Sequence, residues 1–234
     1  MSTKKNLIVV DFDWTIFDLR ILTEAMEASL GAYGLSPELF KATFAQAKDN
    51  PEGYYDRETH ISAILQKAGR VEDELRTEIM GDWADLVTDL SASAFDAVEF
   101  VSFKMALPGC EVVILTYGEQ IFQKSKVDAS GVGEMVSSVF FTSALDGKEQ
   151  RLREFLDRYE RVVSINDAVE PNDSFLRTFK PEVEAGRFLI LEMQREYKNA
   201  AKKRAVPIDG IVPVIDLGEG TVQVIRDFLD QRSK

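Results

Sequence analysis

Hydrophobic residues follow two alternating patterns along the chain. Short apolar runs rich in β-branched residues stand at 7–10, 112–115, 136–141, 161–165, 187–193 and 211–215, and these read as buried strands. Between them the apolar positions recur every three or four residues, as on a helix with one buried face. Leu19, Leu22, Ala25, Met26, Leu30 and Tyr33 form the first such stripe, closed by Gly34. Ser36 followed by Pro37 predicts an N-cap and first helical position for a helix reaching Ala47. The break Asp49-Asn50-Pro51-Glu52-Gly53 separates it from helices expected over 57–68 and 72–90, and Ser93 is expected to cap another through Met105.

Further helices are expected over 119–129, 148–159, 171–179 and 221–231, each between two of the later strands or closing the chain. No segment carries a tight-hairpin signal, so strand–helix alternation predicts parallel β-α-β units. The fold class expected is α/β: a doubly wound parallel sheet interrupted, directly after its first strand, by an all-helical insert. The boundaries this implies are 1–16 and 93–234 for the α/β core and 17–92 for the insert.

Charge narrows the partners. With 40 acidic against 28 basic residues and a net charge of −12, the chain is a poor match for nucleic acid or an anionic membrane. Its single cysteine, Cys110, excludes an internal disulfide framework and has no basic neighbour to activate it. The polar start and short apolar runs lack the pattern of a signal peptide or a membrane span, and a cytoplasmic location is expected. The cations Lys198, Lys202, Lys203 and Arg204 read as a solvated loop. His60 and Trp83 read as packing residues of the insert.

Candidate chemistry lies at the ends of the strand-like runs. Asp11 and Asp13 follow the first, Thr116 the second, Lys148 the third, and Asn166-Asp167 the fourth. In a parallel sheet these ends open on one edge, where open α/β sheets bind ligands. Three acids, a hydroxyl and an amine gathered there suit phosphoryl transfer assisted by magnesium. Carboxylates bind the hard cation or attack phosphorus, while ammonium and hydroxyl groups hold the phosphoryl oxygens.

The order Asp11-Phe12-Asp13-Trp14-Thr15, Thr116, Lys148 and Asn166-Asp167 resembles the haloacid dehalogenase-like (HAD) superfamily, and the helical insert sits where that family's C1-type cap sits. The resemblance implies a Rossmannoid core and a Mg²⁺-dependent phosphatase acting on a small phosphorylated metabolite. It implies Asp11 as nucleophile and metal ligand. Asp13 would be the acid and base, ligating the metal through its backbone carbonyl. Thr116, Tyr117 and Lys148 would be the phosphoryl contacts and Asp167 a further metal ligand. The second aspartate is what the phosphatases carry and the dehalogenases lack. A phosphomutase or phosphotransferase of the same fold, or a weakened relative acting as a binding module, are the alternatives. Three departures stand out: Trp14 where the family often has a small residue, Asn166 where a glycine is common, and a displaced second acid, for which Asn172 would orient a metal-bound water or Glu170 or Asp173 would substitute.

Overall fold

The computed structural model describes residues 6–51, 53–70, 72–144, 146–196 and 206–231. The basic segment containing Lys198 and Arg204 lies outside the described residues. Six strands form one sheet: β1 (Asn6–Val10), β2 (Cys110–Tyr117), β3 (Ser138–Thr142), β4 (Val162–Asn166), β5 (Phe188–Met193) and β6 (Ile211–Val214). Every pairing is parallel, in the order β3-β2-β1-β4-β5-β6. The doubly wound parallel sheet is therefore as expected. The chain first works outward from β1 through β2 to β3, then returns to build β4, β5 and β6 on the other side. The tip of β1 thus lies at the reversal of strand order, where a crevice forms.

Alternation along the strands assigns each residue a side of the sheet. Ile8, Val10, Val112, Ile114, Val163 and Ile165 face one way and join a core that includes Phe100, Phe122 and Ile225. Leu7, Val9, Val113, Leu115 and Val162 face the other, against Leu152, Phe155, Phe175 and Phe179. With both faces covered, each of these strands must be apolar throughout, which is why they read as unbroken runs. Each fully buried Val, Leu or Ile contributes roughly 1.5–3 kcal/mol by leaving water.

Between β1 and β2 come α1 (Leu19–Ser29), α2 (Glu38–Thr43), α3 (Arg57–Lys67), α4 (Asp73–Ala94) and α5 (Ala97–Ala106). The first four make a helical body whose interior joins Leu22, Met26, Phe40, Ile61, Ile64, Ile79, Trp83 and Val87. His60 is fully buried within it. Its Nε2 lies 2.9 Å from the Phe40 carbonyl and its Nδ1 2.9 Å from the Tyr55 hydroxyl. A carbonyl only accepts, so Nε2 carries the proton and Nδ1 accepts from Tyr55. The rings of Phe40, Phe44, Tyr55 and Trp83 surround it. Packing is its role, as for Trp83, which donates to Ser29 Oγ at 3.1 Å. The two crossings into this body lie side by side: Phe17 forms an antiparallel bridge with Phe95, and the Asp18 N–H donates to Ala94 O at 2.8 Å.

Several element ends differ from the sequence reading. Ser36 does not cap α2; its hydroxyl goes to Glu38. Helix α4 runs to Ala94, and Ser93 inside it returns its hydroxyl to Leu90 O. The cap of α5 is Asp96, which accepts from the Glu99 N–H at 2.9 Å. The helix breaks at Phe95 instead because that residue is extended and buried in its bridge with Phe17. Strand β3 starts at Ser138 rather than Val136, after Ser137 N–H has bonded Val112 O. Arg161 precedes β4, its guanidinium bound to the Phe228 and Gln231 carbonyls. Among the described residues no helix is long and apolar enough to cross a membrane.

Candidate active site

Asp11 is the first residue past β1, and its N–H still bonds Ile165 O at 2.9 Å, extending the β1–β4 ladder. Val10 pairs with Ile165, so Asp11 and Asn166 leave neighbouring strand tips together, with Asp167 next in line. The Asp11 carboxylate is nearly buried. Its Oδ1 accepts from the Phe12 N–H at 2.8 Å and from Lys148 Nζ at 2.9 Å, and among the described residues Oδ2 has no hydrogen bond. Burial raises this carboxyl above the usual range, working against the Lys148 ammonium and the Phe12 N–H.

Lys148 arrives from α7 (Gly147–Arg158). A Cβ on Gly147 would come within 1.7 Å of Thr142 Oγ1, so only glycine lets the helix start this close to the end of β3. The next residue, Glu149, is held by Ser174 and Thr178 of α8 (Val169–Thr178), which fixes the first turn of α7. Sequence and local packing therefore agree in aiming Lys148 at Asp11.

The loop 12–17 turns sharply. Phe12 O accepts from the N–H groups of Thr15, Ile16 and Phe17, and the Trp14 N–H donates to Phe17 O at 2.9 Å. Trp14 sits at φ 62°, the left-handed region that favours glycine. The turn is thus of the kind glycine makes at no steric cost, retained here with tryptophan in the strained position.

This turn directs Asp13 toward α6 (Gln120–Ser130). Lys126 Nζ lies 2.5 Å from Asp13 Oδ1 and 2.6 Å from Oδ2, and Gln123 Nε2 donates to Oδ2 at 2.8 Å. The Lys126 side chain has no exposure at all and lies near the rings of Phe12, Phe17 and Phe122. Burial lowers its ammonium below the usual lysine range, with Asp13 opposing the shift. Gln123 also accepts from Thr116 Oγ1 at 3.2 Å and donates to Tyr117 O at 3.1 Å. Gly118, at φ 150°, leaves room for it: a Cβ there would meet Gln123 Nε2 at 2.6 Å.

Of the residues expected at the site, Asp11 and Lys148 touch directly, while Asp13 and Thr116 are joined through Gln123. Tyr117 ends β2 beside them, and Asp167 is buried at the tip of β4. Asn172 is fully buried, with Nδ2 donating to Asn166 O at 3.2 Å and to Glu192 Oε2 at 3.4 Å. The sequence reading did not single out Gln123 or Lys126. The available signal was their position on the stripe Phe122, Val127 and Ser130, the buried face of α6.

Among the described residues no three His, Cys, Asp or Glu side chains are grouped as a metal centre. Magnesium, however, is commonly held by one or two carboxylates, with the remaining oxygens from carbonyls, water and substrate. The Asp11 carboxylate, Asp167 on the adjacent tip and the Asp13 carbonyl match that demand. Buried Asn166 Oδ1 and Asn172 Oδ1 also lack a hydrogen bond, and such orphaned oxygens call for a partner. The donor chemistry fits.

No family model and no curated protein matches the sequence. Solved structures do match in shape. One, assigned as a haloacid dehalogenase-like hydrolase of Burkholderia xenovorans LB400, superposes with a TM-score of 0.71 at 16% identity over 98% of this chain and 99% of its own. The fold is that of the HAD hydrolases. L-2-haloacid dehalogenase from Xanthobacter autotrophicus shares the HAD fold at TM-score 0.59 and 15% identity, covering 94% of this chain and 98% of its own. The HAD-type protein YfnB of Bacillus subtilis, bound to magnesium, gives 0.58 and 16%, covering 98% and 100%. These HAD neighbours thus include both dehalogenase and magnesium-bound members.

Proposed function

We propose that the protein is a magnesium-assisted phosphatase of small soluble phosphate monoesters, working through a phosphorylated Asp11. One observation carries this reading: Asp11 has one carboxylate oxygen fixed by Lys148 and the Phe12 N–H and the other without a hydrogen bond. That is the arrangement of an oriented carboxylate nucleophile. The second acid, Asp13, favours a phosphate over a halogenated substrate. An alkoxide leaving group needs a proton, whereas a halide departs as a stable anion.

In the first step Asp11 Oδ2 forms a bond to phosphorus as the ester P–O bond breaks. The leaving oxygen takes the electron pair and a proton from the Asp13 carboxyl. Water then attacks phosphorus, giving its proton to Asp13, and the P–Oδ2 bond breaks to return Asp11 and release phosphate. Lys148 neutralises charge on the transferring oxygens, and Thr116 at the end of β2 would donate to one of them by turning its hydroxyl away from Gln123 Oε1. Asp11, Asp167 and the Asp13 carbonyl would hold magnesium, which when bound would supply further positive charge against the phosphoryl group. The net charge of −12 disfavours polyanionic substrates such as nucleic acid.

The test is release of phosphate from p-nitrophenyl phosphate, with and without Mg²⁺, by the wild type and by Asp11→Asn. Magnesium-dependent release that falls at least about a thousandfold in the variant supports the reading. Equal rates in the two proteins would overturn it.

A further inference from the structure

Lys126 is a buried ammonium that the steps above do not use, although it makes the closest contacts of the site. An ionised carboxylate offers about four lone-pair positions, two on each oxygen. Lys126 occupies one on each oxygen of Asp13, and Gln123 takes the second on Oδ2. What remains is a single position, on Oδ1. Asp13 is itself 20% exposed in its side chain while Lys126 is completely enclosed, so solvent and substrate reach the aspartate and not the lysine.

The same donors fix the aspartate to the phosphoryl-contact side of the crevice. Gln123 cannot turn its amide over without losing two partners at once, since Asp13 Oδ2 and Tyr117 O only accept and both take Nε2. Lys126 is three residues further along α6, so both anchors move with one helix face.

Resting on the phosphatase reading, we propose that Lys126 and Gln123 are positioning residues for proton transfer: they hold Asp13 so that the open lone pair of Oδ1 faces the leaving oxygen. They touch no substrate. Their effect is confined to the step in which Asp13 passes a proton, so it scales with how much the leaving group needs one.

The experiment compares phenyl phosphate with p-nitrophenyl phosphate, whose better leaving group departs with little help. Lys126→Met is expected to lower kcat on phenyl phosphate at least about tenfold more than on p-nitrophenyl phosphate, with KM changed less than about threefold on either. Asp13→Asn should show the same selective loss, and adding Lys126→Met to it should deepen that selectivity no further. Gln123→Met, which leaves the ion pair in place, should give a smaller loss of the same kind and serves if Lys126→Met does not fold. An equal loss on both esters, or a further selective loss in the Asp13→Asn background, would overturn the proposal while leaving the phosphatase intact. A wild type inactive on both esters removes the phosphatase reading and this inference with it.

Discussion

The interior of the helical insert and the crevice at the strand tips both bury polar groups, and they treat them differently. In the insert, His60 has each ring nitrogen matched to one partner and aromatic rings on all sides. In the crevice, two lysines face two aspartates, Trp14 is held in a glycine conformation, and Asn166 has neither amide atom hydrogen-bonded. A polar group satisfied inside packing serves the fold. Strain and orphaned atoms gathered at one sheet edge are retained at a cost that folding alone does not justify. Orphaned burial by itself does not mark a site, since Ser91 Oγ in the insert is buried without a hydrogen bond as well; ion pairs, strain and orphaned atoms gathered at one sheet edge do.

The comparison is sharpened most by Lys148→Met. Losing one charged contact to the transferring group should lower kcat about 10²–10³-fold on p-nitrophenyl phosphate. Lys126→Met tests the crevice from the stability side. Removing one partner of a buried pair leaves Asp13 uncompensated and should cost about 3–5 kcal/mol in urea unfolding. A loss below about 1 kcal/mol would place this pair among the exposed ones, which matter little.

For the insert the expected signature is pH dependence. Burial lowers the folded-state pKa of His60 below its ordinary value of 6.5. Between the two pKa values the unfolded chain binds the extra proton, so stability is complete above about 6.5 and falls on acidification, by at most about 1.4 kcal/mol per pH unit. Urea midpoints between pH 7 and 5 should show that component in the wild type and lack it in His60→Gln. The smallest effect concerns Trp14. Trp14→Gly should be more stable than Trp14→Ala by about 1 kcal/mol, because both lose the indole and only glycine accepts φ 62° without strain. Equal thermal midpoints would mean that the turn relaxes once the indole is gone.

Much of the core could be read from sequence because strands covered on both faces must be apolar, and the candidate site because its polar side chains sit just past each run. Asp11, Thr116, Lys148 and Asp167 were legible for that reason. Lys126 was not, since a lysine at helical spacing ordinarily faces water and only the fold shows an aspartate opposite it. The start of α5 was missed because Ser93 and Asp96 are both capping types, and the choice between them depends on Phe95 pairing with Phe17, a contact remote in sequence. The left-handed turn at Trp14 was hidden by a residue that rarely adopts it. Local chemistry was visible; what neighbouring elements impose was not.

The side-by-side crossing at Phe17 and Phe95 has a mechanical consequence. Phe17 also bridges Asp13 and accepts the Trp14 N–H, so the pivot on which the helical body would swing is the far end of the turn that follows Asp11. Torque applied by four helices would thus be delivered within a few residues of Asp11. A ligand gripped from above would reshape the floor beneath it without any relay through the sheet.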